Sequence, residues 1–372
     1  MKAQRSLAAL TALAVGLLGA CGDDEKKDAA PASDACPSKL TIRTDWFPEL
    51  EHGGTYQLIG TEGTISKDLV NYSGAVQEQY AVGGLTELEI QTVDFNKSGS
   101  SALLDGEADM AYINMSDVIK DSAAVDMIAI AKTLDKDPQM VMWDPAQFDI
   151  QTPEDIKATG APVLHFPATS YIDYMVAAGF MDASQDTPTY DGSDAQFVSS
   201  NGGVIQQGFA TNEVYKYENE INWKDGAPAD VSFFTVSDMG FDNYPAVITM
   251  MRDRVTELDA CLKLLVPVMQ QAWIDFLNDP KPIMDKMIEI NQVHDGFWGL
   301  SEAVNDGGFA LLESDGYATN SPDGTYCSFD AGRVQGLYDV LKPIYDDQGV
   351  EIADSADGLF TNEYCADAPG RD

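Results

Sequence analysis

The chain has few basic residues for its size. Its 372 residues include 22 Lys and Arg against 61 Asp and Glu, so the formal net charge is −39 at pH 7. An excess of negative charge this large argues against nucleic acid and anionic lipid surfaces as partners, because both are themselves negatively charged. It is typical of a solvated surface suited to a salty exterior.

Metal-binding and catalytic motifs are also missing from the sequence. The three histidines, His52, His165 and His294, lie far apart along the chain, and the cysteines form no CxxC pair. A zinc site or another histidine-bound metal is therefore not predicted, and no cofactor is expected. The GxSxG, HExxH and P-loop signatures are absent as well, so the motifs predict a protein that is not an enzyme.

The N-terminus has the features of an export signal. Lys2 and Arg5 precede an apolar run at residues 7–18, which has the length of a signal-peptide core and is too short for a stable membrane span. The run ends in LGAC, which resembles the bacterial lipobox. This predicts a signal peptide at residues 1–20, cleavage before Cys21, and a diacylglycerol group on the Cys21 thiol. The alternative is an ordinary signal peptide with a chance cysteine.

Residues 21–37 are predicted to form a flexible tether between the membrane and the folded part. The stretch GDDEKKDAAPASDA has no large apolar residue and cannot bury enough surface to offset its ordering entropy. No later segment is expected to be long and apolar enough to span a bilayer. The lipid is therefore expected to be the only contact with the membrane.

Four cysteines remain besides Cys21. An even number in an exported chain favours two disulfide bonds, for which three pairings are possible. The sequence leaves the pairing open among Cys36, Cys261, Cys327 and Cys365.

Short apolar strands alternate with amphipathic helices from about residue 38 onward. The runs KLTIRTDW, TELEIQTVDF and ADMAYIN are typical of strands, whereas SGSSALLDGE and SDVIKDSA are typical of helices. A second series includes PQMVMWDP and APVLHF, and the chain ends in long helical stretches. Strands separated by helices predict an α/β fold with parallel sheets and crossover connections.

The length of the mature chain predicts two lobes rather than a single core. In the simplest arrangement one lobe is inserted into the other, and two extended crossings near residues 132–138 and 244–250 join them. The first predicted lobe comprises residues 38–133 and 250–368, and the second comprises residues 134–249.

Five loops follow predicted strands, where the ligands of open α/β sheets collect. Four of them place Ser, Thr or Asn beside a helix start, where N–H and hydroxyl groups can face a ligand. The loops are TDWFPELEHGG, NKSGSS, INMS, PATSYID and TVSDMG. Each residue type also has a structural interpretation, since Ser and Thr cap helices and aromatic rings fill cores. The repetition of the same chemistry in both predicted lobes favours a shared site.

Several of these segments resemble the type 2 solute-binding proteins that serve ABC importers. DWFPELEHGGTY resembles the family signature D-W-x-P-N-x-x-H-x-G-x-Y, and QQGFATNEVYKYENE resembles the stretch Q-x-G-[YF]-x-T-x-E-[PV]-Y. SGSSALLDGEADMAYINMSDVI and YPAVITMMRD resemble two further family segments, so the likeness covers nearly all of the mature chain. The most similar branch handles thiamine-pyrimidine precursors, with riboflavin, nitrate and alkanesulfonate binders as relatives. Glu49 and Leu50 depart from the family pattern, which often has Asn-Thr there.

The resemblance implies a two-lobed type 2 periplasmic binding protein fold with two hinge crossings, and a set of ligand-binding residues. Trp46 would be the aromatic platform, with Phe47 beside it, and Glu213 and Asp238 could equally hold a hinge salt bridge. The predicted set is Asp45, Trp46, Phe47, His52, Gly53, Ser98, Gly99, Ser100, Asn114, Thr169, Ser170, Tyr171, Glu213 and Asp238.

The charges in the five loops favour a neutral or cationic heteroaromatic ligand. Lys97 is the one basic residue in them, whereas anion binders typically supply Arg or Lys to the pocket. The resemblance implies capture of a pyrimidine or thiamine precursor, or of riboflavin, by hinge closure. The alternatives are a binder of nitrate-type or sulfonate-type anions, and a pyrimidine-synthase-like enzyme of the same fold that would use His52.

The resemblance also implies partners for the protein. A monomer is expected to deliver a small-molecule ligand to a membrane permease coupled to an ATPase, while the lipid anchor holds it at the outer face of the cell membrane. A sensor that receives the ligand instead of an importer is a further alternative.

Overall fold

The computed structural model describes residues 34–94, 97–294, 296 and 298–371. The predicted signal peptide, Cys21 and most of the predicted tether lie outside the described residues. The strands of the described part form two sheets. They are β1 Lys39–Arg43, β2 Thr64–Ser66, β3 Asn71–Ala75, β4 Glu87–Gln91, β5 Met110–Ile113, β6 Met127–Ala131, β7 Gln139–Trp143, β8 Val163–Leu164, β9 Asp186–Thr187, β10 Ile205–Phe209, β11 Ser232–Thr235 and β12 Val247–Met251.

Helices connect and cover the strands. Several begin at the polar caps expected from the sequence, as where the Ser98 side chain accepts a hydrogen bond from the Ser101 N–H at the start of α2. The helices are α1 Gly53–Ile59, α2 Gly99–Leu104, α3 Met115–Asp121, α4 Asp155–Thr159, α5 Ser170–Ala178, α6 Ala195–Ser199, α7 Glu213–Asn219, α8 Arg252–Glu257, α9 Asp259–Asn278, α10 Lys281–Val293, α11 Glu302–Ser314 and α12 Ala331–Gln348.

The first sheet has the strand order β2-β3-β4-β1-β5-β12-β6. Strand β1 lies parallel to β4, with Leu40 opposite Leu88 and Ile42 opposite Ile90, and it lies parallel to β5 on its other side. These four apolar side chains are fully or almost fully buried, because alternate residues of a strand point to the same face of its sheet. The parallel strands β4, β1 and β5 therefore end at one edge of this sheet.

The second sheet has the order β11-β7-β10-β8-β9, and all of its strands lie between residues 139 and 235. Strands β10, β8 and β9 are parallel, whereas β7 runs antiparallel to both β10 and β11. The first sheet is mixed as well, since β12 is antiparallel to β5 and β6. The prediction of parallel sheets is therefore wrong for these strands. The reason is that β7 and β12 each follow a direct connection from the other sheet, with no crossover helix to reverse the chain.

Two connections join the sheets, at residues 132–138 and 236–246. They contact each other directly, because Thr133 donates a hydrogen bond to the Ala246 carbonyl (3.0 Å) and Asn243 donates one to the Asp137 carboxylate (2.8 Å). Arg333 at the start of α12 donates hydrogen bonds to the carbonyls of Asp135 and Asn243, one from each connection. We refer to this group as the hinge cluster. The lobe boundaries themselves stay a prediction.

After β12 the chain forms the helices α8–α12, of which α9 packs on α1, and two disulfides link this part of the chain. Cys36 is bonded to Cys261 on α9, and Cys327 is bonded to Cys365. Both predicted disulfides are therefore present, in one of the three possible pairings. Glycines at the start of α1 allow close packing on α9. A Cβ atom on Gly53 would lie 2.2 Å from the Phe276 ring, so only glycine fits there.

One helix of the described residues, α9, is long and apolar enough to cross a membrane by length and composition. The expectation that no such segment follows the signal peptide is therefore wrong on those two criteria. Its most apolar window is 61% buried inside the protein, where Leu262, Leu265 and Trp273 belong to the main core. This burial is typical of a core helix.

Candidate functional site

Loops at the edge of the first sheet place polar and aromatic groups side by side. Asp45 and Trp46 follow β1, Val93 follows β4, and Asn114 follows β5. These strands are parallel neighbours, so the loops after them converge. The Asn114 amide oxygen accepts a hydrogen bond from the Ala246 N–H (3.1 Å), which ties this loop to the end of the second connection between the sheets.

Loops and strands of the second sheet face that edge. Phe166 and Thr169 follow β8, Tyr190 follows β9, and Gln207 lies on β10. The Gln207 amide oxygen accepts hydrogen bonds from the Phe166 N–H (2.6 Å) and the Tyr171 hydroxyl (3.1 Å). Gln207 therefore fixes the loop that carries Phe166 and the helix that carries Tyr171.

A cavity of about 310 Å³ lies between these two sets of loops, and we call it the aromatic chamber. The described residues that line it come from both sheets and from the C-terminal helical part. They are Asp45, Trp46, Glu49, Val93, Asn114, Asp117, Gln139, Phe166, Thr169, Tyr190, Gln207, Gly208, Phe209, Glu213 and Trp298.

Four aromatic rings form a continuous wall of this chamber. The Trp46 ring centroid lies 5.3 Å from that of Phe166 and 5.3 Å from that of Trp298, and Phe166 lies 5.1 Å from Tyr190. Trp46 belongs to the first-sheet side and Phe166 to the second, so the rings meet across the space between the sheets. Such a wall offers π-faces and ring edges to a flat ligand.

Carboxyl groups from both sides line the same chamber. Burial raises the pKa of Glu49 well above its usual value, and the nearby carboxyls of Glu51, Asp45 and Glu213 raise it further. Burial also raises the pKa of Asp117, to about 6. Among the described lining residues there is no Lys or Arg. The chamber is therefore an acidic site walled by aromatic rings.

Glu213 begins α7 on the second-sheet side and has partners of its own. Its carboxylate accepts hydrogen bonds from the Phe209 N–H (2.8 Å) and the Tyr190 hydroxyl (3.2 Å). Burial raises its pKa, and the Lys216 ammonium partly opposes that shift. Glu213 therefore holds the Tyr190 ring in the chamber wall, and the described contacts include no hinge salt bridge for it.

A second cavity of about 420 Å³ adjoins the first, and we call it the polar chamber. Asp45, Val93, Asn114 and Asp117 line both cavities. The polar chamber adds Arg43, Lys97, Ser98, Gly99, Ser100, Lys120 and Asp121, among others. Lys97 pairs with Asp105 and Glu107, and Lys120 donates to the Ala168 carbonyl. Arg43 donates to the Gln91 amide oxygen through Nε and Nη2, whereas its Nη1 is buried without a hydrogen-bond partner among the described residues.

The structure brings together residues from both halves of the predicted site. Those that line one or both chambers are Asp45, Trp46, Ser98, Gly99, Ser100, Asn114, Thr169 and Glu213. Trp46 and Thr169 were predicted to contact the ligand from different lobes, and they line the same chamber.

The remaining predicted residues lie behind or beside the chambers. His52 is fully buried and contacts the Asp45 carboxylate through Nε2 (2.8 Å), so it supports a chamber residue from behind. Ser170 accepts a hydrogen bond from Tyr345 (2.8 Å), and Asp238 is bonded to Thr235 in a turn. Phe47 packs its ring against Trp46, edge to face. These four residues, together with Gly53 and Tyr171, are not among the described residues that line either chamber.

Several chamber residues were not predicted from the sequence. Gln207 lies inside QQGFATNEVYKYENE, one of the segments that resemble the family, and Phe166 ends the predicted strand APVLHF, so their positions were usable signals. Tyr190 and Trp298 lie in irregular loops with no periodic pattern, and Glu49 appeared only as a departure from the family. Among the described residues no group of three or more His, Cys, Asp or Glu could hold a metal ion.

The fold is similar to those of solved solute-binding proteins. The alkanesulfonate-binding protein SsuA from Xanthomonas axonopodis pv. citri, bound to MOPS, has a TM-score of 0.53 and 14% identity over 92% of this chain and 100% of that chain. The periplasmic aliphatic sulphonate binding protein SsuA from Escherichia coli has a TM-score of 0.55 and 12% identity over 88% and 99%.

A zinc-bound ligand-binding component of an ABC-type import system from Staphylococcus aureus has a TM-score of 0.54 and 12% identity over 89% and 99%. No curated protein matches the chain. The predicted two-lobed periplasmic binding protein fold is confirmed by these structures. Residues 77–283, more than half of the chain, match the family model described as NMT1/THI5 like. The chain belongs to the NMT1/THI5-like family.

Proposed function

We propose that this protein is the extracytoplasmic solute-binding component of an ABC importer. Its ligand is a small heteroaromatic nutrient, neutral or cationic, such as a pyrimidine or thiamine precursor or riboflavin. The observation that carries the proposal is the aromatic chamber, where rings and carboxyl groups from both sheets line one cavity. A site built from both sheets is what a protein that closes around its ligand requires.

The chamber wall favours a flat, ring-shaped ligand. Trp46, Phe166, Tyr190 and Trp298 supply apolar surface and π-faces, and Gln207, Thr169 and Asn114 supply directional hydrogen-bonding groups near them. Pockets that orient one small ligand are typically lined by aromatic rings and a small number of polar groups. A sugar or a simple inorganic ion would leave most of this apolar surface without a partner.

The charges of the chamber disfavour anions. The SsuA proteins bind sulfonates, and a sulfonate in this chamber would face Asp45, Glu49, Asp117 and Glu213 without a basic side chain among the described lining residues. A buried anion needs charge-matched donors to offset its desolvation. Binding of sulfonate or nitrate is therefore the alternative that a ligand screen should test directly.

The transport cycle follows from the position of the chamber between the sheets. Ligand contacts both lobes when they approach, so binding selects the closed state by its additional contacts. The two lobes are residues 38–133 with 250–368, and 134–249, and they rotate about the connections that meet at the hinge cluster. The closed form then docks on a permease coupled to an ATPase.

The protein acts as a monomer held at the membrane by diacylglycerol on Cys21. The LGAC sequence and the polar stretch after it support this part of the proposal. Metabolic labelling with a palmitate analogue, compared between the natural chain and Cys21→Ser, tests it. Label that stays on the Cys21→Ser protein would contradict lipidation at this residue.

The protein is not an enzyme in this proposal. A pyrimidine-synthase-like reaction would need an accessible histidine, and the His52 side chain is fully buried against Asp45. Incubation with pyridoxal phosphate provides the test. No Schiff-base absorbance is expected, and an adduct on Lys97 or Lys120, which line the polar chamber, would favour the enzyme instead.

A thermal-shift screen followed by small-angle scattering tests the central proposal. Vitamins, pyrimidines, polyamines and sulfonates are added singly, and a ring compound is expected to raise the melting temperature because it binds only the folded state. Its saturation is then expected to lower the radius of gyration. Stabilisation by sulfonates alone, or unchanged dimensions at saturation, would contradict the ligand class or the closure mechanism, respectively.

A further inference from the structure

Glu49 is a buried carboxyl group in the lining of the aromatic chamber. Its residue surface is 6% exposed, and it lines the cavity immediately before the short 3-10 turn Leu50–His52. Its side chain caps no helix, and no described residue forms a hydrogen bond or ion pair with it. A buried carboxyl without a partner is costly to keep in a folded protein.

The other buried glutamates nearby are satisfied. Glu51 accepts a hydrogen bond from the Thr211 hydroxyl, and Glu213 accepts two from Phe209 and Tyr190. These three side chains share burial and acidic surroundings, so burial alone does not leave a carboxyl unpartnered here. The difference is that Glu49 faces the cavity with both of its oxygens still available.

The charged surroundings of Glu49 determine what can partner it. Asp45, Glu51 and Glu213 all disfavour its ionised form, and the one base that opposes them is Lys216. The Lys216 ammonium lies 4.5 Å from the Trp298 ring centroid, so its position is set by that ring. Asp117 adds a further carboxyl to the lining. Lys216 is the one base among the described charges that act on Glu49, and no Lys or Arg is among the described lining residues, so a cationic ligand would supply the charge that the lining lacks.

We propose that Glu49 is the specificity-determining residue of the aromatic chamber and selects a planar ligand that carries a positively charged nitrogen. The ring lies against Trp46, and its charged N–H or N-alkyl group faces the Glu49 carboxylate. Aromatic faces favour the same cation, so the wall and the carboxylate act on one chemical feature. This inference rests on the proposed function, because it refines the ligand class of the same site.

Matched probe pairs that differ in charge test the inference. Nicotinamide and its cation 1-methylnicotinamide form one pair, and thiamine, which has a permanent cationic ring, is compared with neutral hydroxymethylpyrimidine. Each is titrated by calorimetry into the natural protein, Glu49→Gln and the control Glu351→Gln, which changes an exposed glutamate far along the chain. Melting temperatures verify that all three proteins are folded.

The natural protein and Glu351→Gln are expected to prefer the cationic member about 10-fold to 100-fold, the size of one ion pair in a partly desolvated site. Glu49→Gln is expected to lose that preference while it still binds the neutral member. Equal binding of both members by the natural protein, or an unchanged preference in Glu49→Gln, would overturn this inference and leave the proposed function standing. Absence of binding by every ring probe would overturn both.

Proton release gives a second readout that a purely structural role would not change. A permanent cation favours the ionised form of Glu49, whose pKa is raised by burial and by Asp45, Glu51 and Glu213. Binding of 1-methylnicotinamide is therefore expected to release a proton, measured as a dependence of binding enthalpy on buffer ionisation enthalpy. The release is expected to shrink in Glu49→Gln, and an equal release from both proteins would overturn the assignment.

Discussion

The hinge cluster and the aromatic chamber both lie where the two sheets meet, but they differ in whether their buried polar groups have hydrogen-bond partners. In the hinge cluster, Arg333 binds carbonyls of both connections, and the Asp137 carboxylate accepts hydrogen bonds from Asn243 (2.8 Å) and the Gln139 N–H (2.9 Å). In the chamber, Glu49 has no such partner. We interpret the satisfied groups of the hinge cluster as structural, and the unpartnered Glu49 carboxyl, which lines a cavity, as a place for a ligand.

The same contrast holds for aromatic rings. Tyr244 in the hinge cluster lies under the Arg333 guanidinium, 3.8 Å from the ring centroid, and its hydroxyl accepts a hydrogen bond from the Asp330 N–H. Trp46 in the chamber is surrounded by other rings, which leave its surroundings apolar and open to the cavity. The hinge cluster is complete within the chain, whereas in our proposal a small molecule completes the aromatic chamber.

The largest effect is expected when Arg333 is removed from the hinge cluster. Arg333→Ala leaves buried carbonyls of both connections without a donor, so we expect the free energy of unfolding to fall by about 3 kcal/mol. Urea denaturation measures the loss. Lys263→Ala is the control, because Lys263 forms ion pairs with the exposed side chains of Asp259 and Glu363, and its loss should cost well under 1 kcal/mol, about the value of a surface ion pair. Equal losses in both variants would mean that the hinge cluster is not a structural unit.

The next largest effect concerns the chamber wall. Trp46→Ala removes the ring that joins the two sides of the wall, and we expect affinity for the best ring compound to fall by about 2 kcal/mol, or about 30-fold. Calorimetry measures the change. Phe47→Leu is the matched control, because Phe47 is adjacent in sequence but is not a described lining residue of the chamber. A larger loss of affinity in Phe47→Leu than in Trp46→Ala would contradict the assignment of the wall.

Replacing Glu49 tests the comparison by its effect on the stability of the ligand-free protein. Glu49→Gln removes an unpartnered acid, and we expect the ligand-free protein to gain about 1 kcal/mol at about pH 8 and less at about pH 5. The pKa of Glu49 is raised in the folded protein, so the folded state keeps a proton that the unfolded chain has lost. The stability contributed by this group is therefore fully present below the usual carboxyl pKa and is lost as pH rises through the folded value.

Thermal denaturation of both proteins at the two pH values measures the gain. A stabilisation that is larger at the acidic pH would contradict the raised pKa, and a destabilisation at both would mean that Glu49 has an internal partner. Glu51→Gln is a useful companion, since it changes a buried glutamate that accepts a hydrogen bond from Thr211. We expect it to lose stability rather than gain it.

The smallest effect is expected at Asp238. Its carboxylate accepts a hydrogen bond from the Thr235 N–H (3.1 Å), and its own N–H donates to the Thr235 hydroxyl (3.1 Å), so it closes a turn after β11. Asp238→Asn keeps most of this geometry and should cost about 0.5 kcal/mol of stability, with no change in ring affinity. A loss of affinity would indicate that Asp238 contributes to ligand binding.

The sequence predicted the elements whose patterns are local. Alternation in KLTIR marked β1 because Leu40 and Ile42 share one buried face, and small polar residues marked the start of α2. The loop with Trp46 was found because its aromatic residues, Pro and glycines stand together after a strand. The family pattern then related this loop to the one that carries Thr169.

Features that depend on distant parts of the chain could not be predicted. The antiparallel placement of β12 between β5 and β6 depends on the direction in which the second connection enters the sheet. The pairing of Cys36 with Cys261 joins residues separated by 225 positions. Trp298 reaches the chamber from a loop after α10, so only the folded arrangement brings it within 5.3 Å of Trp46.

The strand order also decides when each sheet can be completed as the chain is synthesised. Every strand of the second sheet lies between residues 139 and 235, so that sheet can form as soon as its own segment has emerged. The first sheet must wait for β12, which fills the gap between β5 and β6, and its disulfide must wait for Cys261. The second sheet can therefore be complete while the first is still open, and the edge of β5 stays without its neighbouring strand until β12 is in place.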